Sequence, residues 1–332
     1  MRAVRWNPPT PPERAARPRS DPPMPAVRRV EVGRHGPEDV IWSDDGRVLT
    51  GTDDGAILAV DPHTSDVEVL TSTGGRPLGL DRGPDGWLYI CDHDRGVLRW
   101  RAGLSEPELL VGEVGGRRVH FASNVAVAQD GSFVFSTSTQ RYGLDDWLGD
   151  IMEHSGTGRL LRCGVDGQVE VLLDDLQFAN GVVLAPDESH VLVAETGAYR
   201  VTRRWLSGPR AGSTDRVVEN LPGFPDNMSV GSDGLVWIGM AAPRNALLDR
   251  LAPRPPWMRR LIHALPHALT PKPPDQAWAL AIDFDGEVRV DLQTDAPGYR
   301  MVTAVAEHDG VLALGGVEET AIGIVDLRGV GD

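Results

Sequence analysis

The stretch Phe224-Pro225-Asp226-Asn227-Met228-Ser229-Val230, followed by a turn at Asp233-Gly234 and the apolar run Leu235-Val236-Trp237-Ile238-Gly239-Met240, decides how this chain is read. Two short apolar segments joined at Asp-Gly predict a β-hairpin. The phrase returns at Asp45-Gly46, Asp85-Gly86, Asp130-Gly131, Asp187-Glu188 and Asp309-Gly310. Up to Asp233 the spacings are 40, 45, 57 and 46 residues, and the last interval is 76. A period in the low forties is the length of one four-stranded propeller blade. The expectation is an all-β chain: a six-bladed β-propeller of four-stranded antiparallel blades. Asp285-Gly286 falls between the outer strands of the fifth blade and adds no seventh repeat.

The first blade divides into strands at roughly 39–43, 47–52, 56–60 and 67–70, the fourth at roughly 181–185, 190–195, 199–206 and 216–219. The sixth blade has only three strands after Met301, and Val27–Val32 is left over to supply its outer strand. Closure of this kind pairs the free edges of first and last blades. Residues 1–27, rich in Pro and Arg, are expected as a flexible tail, and 28–332 as the propeller. The long intervals are filled by insertions at about 139–157 and 241–275, whose apolar residues recur at helical spacing. Helices there would lie over the channel mouth as an apolar lid. The basic stretch Trp257–Leu265 has docking on a membrane or partner as its alternative role.

Composition narrows the partners. With 33 basic against 48 acidic residues and a net charge of −15, neither nucleic acid nor an anionic membrane is the expected main partner. Cys91 and Cys163 lie in apolar strand-like runs and read as buried free thiols. No apolar segment marks a signal peptide or a transmembrane anchor, so a cytoplasmic protein is expected.

In a propeller the innermost strand of each blade lines the channel, so matched offsets from the turn reach matched heights on the axis. At one such offset stand Glu38, Leu78, Ser123, Asn180, Asp226 and Val302, and one residue later Asn124 and Asn227. Glu38, Asn124, Asn180, Asp226 and Asn227 thus form a ring of hard oxygen donors bearing two negative charges. Such a set suits calcium, with manganese, magnesium or zinc as alternatives. At the far end of the second strands lie His93, the one imidazole at these offsets, and Glu195. Either could take the proton of an attacking water.

These residues sit in phrases that resemble the strictosidine synthase-like group of six-bladed propellers, especially its adipocyte plasma membrane-associated branch. The phrases are Gly158-Arg159-Leu160-Leu161-Arg162, Phe178-Ala179-Asn180-Gly181-Val182, Val193-Ala194-Glu195-Thr196, Leu221-Pro222-Gly223-Phe224-Pro225-Asp226-Asn227 and Glu307-His308-Asp309-Gly310. Paraoxonases and the gluconolactonase/regucalcin family are similar more widely. The resemblance covers nearly everything from about residue 30 onward. It implies a central calcium at Glu38, Asn124, Asn180, Asp226 and Asn227, and hydrolysis of lactones or aryl esters. Two departures stand out. The catalytic glutamate of strictosidine synthase corresponds approximately to Thr303, and a mouth histidine of paraoxonases corresponds to Leu78, whereas His93 matches their second histidine. The expected function is a metal-dependent lactonase or arylesterase with an apolar pocket and a small-molecule substrate. The alternatives are a non-catalytic propeller stapled by its metal, and a biosynthetic cyclase lacking the group's glutamate.

Overall fold

The computed structural model describes residues 1–264, 274–295 and 298–328. Six four-stranded antiparallel sheets surround one axis, each ordered from its innermost strand A to its outermost strand D. Blade 1 comprises Val40–Trp42, Val48–Gly51, Ala56–Val60 and Val67–Ser72; blade 2 comprises Pro77–Arg82, Leu88–Asp92, Gly96–Trp100 and Glu108–Val111. Blade 3 is Ala122–Val127, Phe133–Thr137, Gly158–Cys163 and Val169–Leu176; blade 4 is Ala179–Leu184, His190–Glu195, Arg200–Trp205 and Thr214–Val218. Blade 5 is Gly223–Val230, Val236–Pro243, Ala277–Ile282 and Val288–Thr294. Blade 6 has Val302–His308, Val311–Gly316 and Ala321–Asp326, and takes its outer strand from Arg28–Glu31, which pairs antiparallel with Ala321–Asp326. Closure of the ring by the N-terminal strand is as the sequence led one to expect.

The recurring turn has a common mechanism. In blades 1 to 5 the aspartate carboxylate accepts the backbone N–H two residues on, from Arg47, Trp87, Ser132, Ser189 and Leu235 respectively. The residue between them is left-handed, which Gly46, Gly86, Gly131 and Gly234 adopt without strain and Glu188 adopts at φ 54°. Asp-Glu therefore replaces Asp-Gly without loss of the turn.

Alternation within strands builds the core. On blade 1, Val48, Ala56, Leu58 and Val60 face blade 6, while Leu49, Ile57 and Ala59 face blade 2. Each sheet is thus apolar on both faces, and the buried clusters form six seams, one between each neighbouring pair. The bulkiest fully buried side chains, Trp237 and Trp278, satisfy their indole N–H groups on Asp233 and Asp291. Cys91 and Cys163 are buried and unpaired.

The insertions carry three helices, α1 (Trp147–Glu153), α2 (Ala246–Leu251) and α3 (Pro256–His263). Asn245 caps α2 by accepting the N–H groups of Leu247 and Leu248. Part of the second insertion, 265–273, lies outside the described residues.

Residues 1–27, expected as a flexible tail, are placed along the rest of the molecule by specific contacts. Met24 sits in the seam between blades 5 and 6, and Arg14 stacks on Trp278 while pairing with Asp291. Further back, Val4 N–H donates to the Glu153 carbonyl at 2.8 Å and Trp6 stacks on His154 with ring centroids 4.1 Å apart. Proline makes such a segment easier to hold, because less conformational entropy is lost when it docks.

The closing strand makes a specific demand on Val30, which is buried between blades 6 and 1. Val30→Asp would place an unpaired charge in that seam, and urea unfolding should show a loss of about 3 kcal/mol. An unchanged midpoint would argue against closure by this strand.

Candidate functional site

The inner strands are irregular where they reach the axis. Register shifts interrupt A–B pairing between Pro77 and Leu80, Ala122 and Val125, Ala179 and Val182, Pro225 and Met228, and Val302 and Ala304. A bulge leaves residues out of the ladder and re-aims their side chains. Ser123-Asn124, Asn180 and Asp226-Asn227 all lie within these bulges. Glu38 and Asp39 immediately precede the first strand, Val40–Trp42.

The five residues expected as a ring do converge. Asn227 Nδ2 donates to Glu38 Oε1 at 2.9 Å, and Asn124 Nδ2 donates to Asn227 Oδ1 at 3.0 Å. Asn180 Nδ2 donates to Asp226 Oδ1, and Ser123 Oγ donates to Asn180 Oδ1 at 2.9 Å. All are buried. A sixth group joins them: Asp39 lies 3.5 Å from Asn124 Nδ2 and accepts the N–H groups of Leu80 at 2.7 Å and Val40 at 2.9 Å. Asp39 occupies the same offset as Asn124 and Asn227, so the repeat contained the signal that would have found it.

That offset alternates around the axis. Blades 1, 3 and 5 carry Asp39, Asn124 and Asn227, while blades 2 and 4 carry Gly79 and Gly181. A Cβ on Gly79 would sit 2.4 Å from Asn124 Cα, and one on Gly181 would sit 2.3 Å from Met228 N. The glycines therefore let the polar side chains of their neighbours reach the centre.

Burial governs the charges. It pushes the Glu38 carboxyl up to about 7, opposed by the Arg76 guanidinium and the Asn227 hydrogen bond. Asp39 and Asp226 are raised well above the ordinary carboxylate range by burial first and the Glu38 charge second. Glu38 Oε2 is buried with no hydrogen-bond partner. Turning the Asn180 or Asn227 amide by 180° exchanges its NH2 for its oxygen, so the same side chains offer donors to carboxylates or oxygens to a cation. The donor set fits a hard cation. Among the described residues no group of three His, Cys, Asp or Glu suits a metal, so amide oxygens would complete the coordination.

The two expected proton acceptors are otherwise engaged. Glu195 is 0% exposed and bound to Arg200 at 2.6 and 2.7 Å, Thr202 Oγ1 at 2.6 Å and the Gln177 N–H at 3.0 Å. It is a clamp on the corner of blade 4 and has no free lone pair directed at a water. His93 has Nδ1 at 2.8 Å from Asp94 and accepts the Leu144 N–H on Nε2 at 3.1 Å. This leaves the neutral ring bound at both nitrogens, supporting the blade 3 insertion.

Above the ring, Leu78, Phe121, Phe178 and Phe224 form an apolar rim with Tyr199, and Ile151 of α1 packs among them. Leu148 and Trp147 cover the same cluster from α1, and Leu248 covers it from α2. Arg259 of α3, 2% exposed, donates to the carbonyls of Met152 at 2.8 Å and Val4 at 2.6 Å. One guanidinium thus ties α1, α3 and the N-terminal segment together over the mouth.

A propeller whose bulged inner strands bring buried carboxylates and amides to one axis, under a helical lid, is the class defined by these features. Sequence comparison supplies the family. The strictosidine synthase family profile matches residues 117–209, and that of the strictosidine synthase-like N-terminal region matches 24–60. Adipocyte plasma membrane-associated protein of Homo sapiens is 33% identical over 92% of this chain and 78% of its own length. Strictosidine synthase-like 6 of Arabidopsis thaliana is 34% identical over 76% of this chain and 69% of its own. The chain belongs to the strictosidine synthase-like family.

Among solved structures, a gluconolactonase of Xanthomonas campestris is similar with TM-score 0.66 at 17% identity, covering 91% of this chain and 89% of its own. The calcium-binding regucalcin of Agrobacterium tumefaciens is similar with TM-score 0.63 at 12% identity, covering 92% and 94%. At these identities the likeness is one of fold. The expectation of a cytoplasmic protein is corrected by the human, rat and mouse relatives, which are named for association with the plasma membrane. Among the described residues no helix is long and apolar enough to cross a membrane.

Two substitutions test these roles. Glu195→Gln removes the charge that Arg200 needs and should lower unfolding free energy by about 3 kcal/mol in urea titrations; an unchanged midpoint would contradict the clamp. On α1, burial raises the Asp150 carboxyl to about 6, and its Oδ1 has no hydrogen-bond partner. The folded value lies above the unfolded value of about 4. Stability from this group therefore falls as pH rises from about 4 to about 6 and stays low above that. Asp150→Asn should stabilise by roughly 1–3 kcal/mol at pH 7 and leave stability at pH 4 nearly unchanged. Equal effects at both pH values would refute this assignment.

Proposed function

We propose that the protein is a metal-dependent hydrolase of lactones or aryl esters, with a cation held by Glu38, Asn124, Asn180, Asp226 and Asn227. One observation carries the reading: buried Glu38 Oε2 has no donor, while burial drives Glu38, Asp39 and Asp226 together toward neutrality. A hard cation relieves both conditions at once. Oxygen-only donors favour calcium; manganese and magnesium share that preference, and zinc fits less well. When bound, the cation supplies Lewis acidity toward a carbonyl oxygen and the oxyanion that develops on it.

The chain's own residues do the remaining work. Glu38 and Asp226 provide the negative charge, and Ser123 and the Val182 N–H fix the Asn180 and Asn124 amides. Phe121, Phe178 and Phe224 offer apolar faces to an acyl or aryl group, favouring hydrophobic lactones and aryl esters over sugar lactones. Ile151 now fills that rim, so substrate entry requires displacement of the lid. The same displacement is what would free His93 Nε2 from the Leu144 N–H to accept a proton from water. Glu195 is not offered as the base, because its oxygens are held by Arg200 and Thr202. The gluconolactonase among the structural neighbours points the same way at the level of fold. Kinship with proteins named for the plasma membrane makes association with a membrane the expected location.

A second reading is a non-catalytic propeller whose metal staples the blades. The filled rim and the engaged state of His93 and Glu195 favour it. Cyclase chemistry is less favoured, since Thr303 stands at the approximate position of the strictosidine synthase glutamate and donates to the Glu38 carbonyl at 2.6 Å.

Elemental analysis beside lactonase and arylesterase assays, with and without chelator, separates the readings. The hydrolase reading expects stoichiometric calcium, loss of turnover in EDTA and recovery on adding calcium, with Asp226→Ala losing metal and activity together. Full activity after chelation would defeat it. Bound calcium without turnover on any ester, with Asp226→Ala lowering only the melting temperature, would establish the structural role.

A further inference from the structure

Beside the channel mouth, where His120 packs against His93 and Phe121, this acidic chain gathers several arginines. A short hairpin, Glu113–Val114 paired with Arg117–Arg118, projects from the connection between blades 2 and 3. It turns at Gly115-Gly116, both left-handed, at φ 61° and 76°. Arg117 and Arg118 line a cavity of about 350 Å³ together with His120, Gln140, Arg141 and Thr157. Among the described residues no carboxylate lines it. Gln140, Arg141 and Thr157 come from the B–C insertion of blade 3, so two separate excursions of the chain build the walls.

A further guanidinium stands close by. Arg159 begins the third strand of blade 3, its Nε has no hydrogen-bond partner, and its pKa is lowered by burial and then by the charge of Arg117. Arg118 donates to the Asp94 carbonyl, and Arg141 alone pairs with a carboxylate, Glu153. Among the described residues Arg117, Arg118 and Arg159 form no ion pair, although Glu113 lies across the hairpin from Arg118. Elsewhere Arg14, Arg200, Arg203 and Arg244 pair with Asp291, Glu195, Asp215 and Asp249, and buried Arg76 and Arg259 are satisfied by backbone carbonyls. Gathering like charges without such partners costs free energy unless an anion from outside offsets it.

We propose that this cavity is a binding site for a phosphate group, carried by a small molecule or present as inorganic phosphate. Several guanidinium forks approaching from different walls require more acceptor oxygens than one planar carboxylate offers, and a tetrahedral oxyanion provides them. His120 Nε2 donates to the Tyr142 carbonyl at 2.9 Å, which fixes the ring in the cavity wall and leaves the guanidinium groups as the donors to the anion. The cavity is larger than a bare anion and admits an organic substituent. None of the ring residues lines this cavity, although His120 packs on His93 with ring centroids 4.9 Å apart; a phosphate titration reads binding and not turnover, so its outcome does not decide the hydrolase reading.

Calorimetric titration of the full chain with inorganic phosphate, against chloride at equal ionic strength, tests the site. Binding is expected for the wild type, weakened about ten- to hundredfold by Arg117→Glu. Arg117 is exposed and unpartnered among the described residues, so its replacement should leave the melting temperature in place. Arg117→Lys keeps the charge without the fork and should fall between the two. Sedimentation with phosphatidylcholine vesicles, with and without phosphatidic acid, identifies the source. Phosphate-competed pelleting on phosphatidic acid assigns a lipid headgroup, and calorimetric binding without pelleting assigns a free phosphate compound. No phosphate-specific heat with wild-type protein, or unchanged affinity in Arg117→Glu, overturns the proposal.

Discussion

The burial of Glu38, Asp39 and Asp226 around a single axis is the constraint to which the centre of this molecule answers. Each carboxylate is removed from water by the same closure that creates the six apolar seams. Desolvation of ionised groups opposes folding unless donors or charges replace the lost water. The chain supplies backbone N–H groups to Asp39, amide N–H groups to Glu38 and Asp226, and the more distant charge of Arg76. Two glycines on intervening blades make the approach geometrically feasible. The oxygen left over on Glu38 is the point at which this internal compensation stops.

At the mouth, apolar side chains cover that centre. Phenylalanines from blades 3, 4 and 5 ring the opening, and α1 seals it with Ile151 and Leu148. Arg259 carries the seal outward by joining the end of α1 to α3 and the N-terminal segment. A cation near the last carbonyls of a helix also complements the helix dipole. The lid and the segment before residue 28 therefore act on the same opening.

Titratable groups at that opening serve architecture in the closed state. Glu195 fastens strand C of blade 4 through Arg200 and Thr202, and His93 supports the blade 3 insertion through Leu144. The repeat assigns both a height on the axis, yet height alone does not assign chemistry. A side chain with every lone pair occupied is a strut, whatever its residue type.

Much was legible in the order of residues alone. The Asp-Gly period set the number of blades, the alternation of apolar residues set which faces are buried, and the leftover strand at Val27–Val32 set the closure, because all three follow from local turn chemistry and a side-chain period of two. The ring residues were legible too, since repetition converts offset into height, and Asp39 was there to be read at the same offset as Asn124 and Asn227. What only the tertiary structure decided was how each polar group is used. The anchoring of residues 1–27, the clamp at Glu195, the hold of Leu144 on His93 and the convergence of Arg117 with Arg141 and Arg159 depend on partners from 5 to well over 200 residues away. Non-local pairings leave no periodic trace, because a hydrogen bond constrains two positions in space and says nothing about the distance between them along the chain.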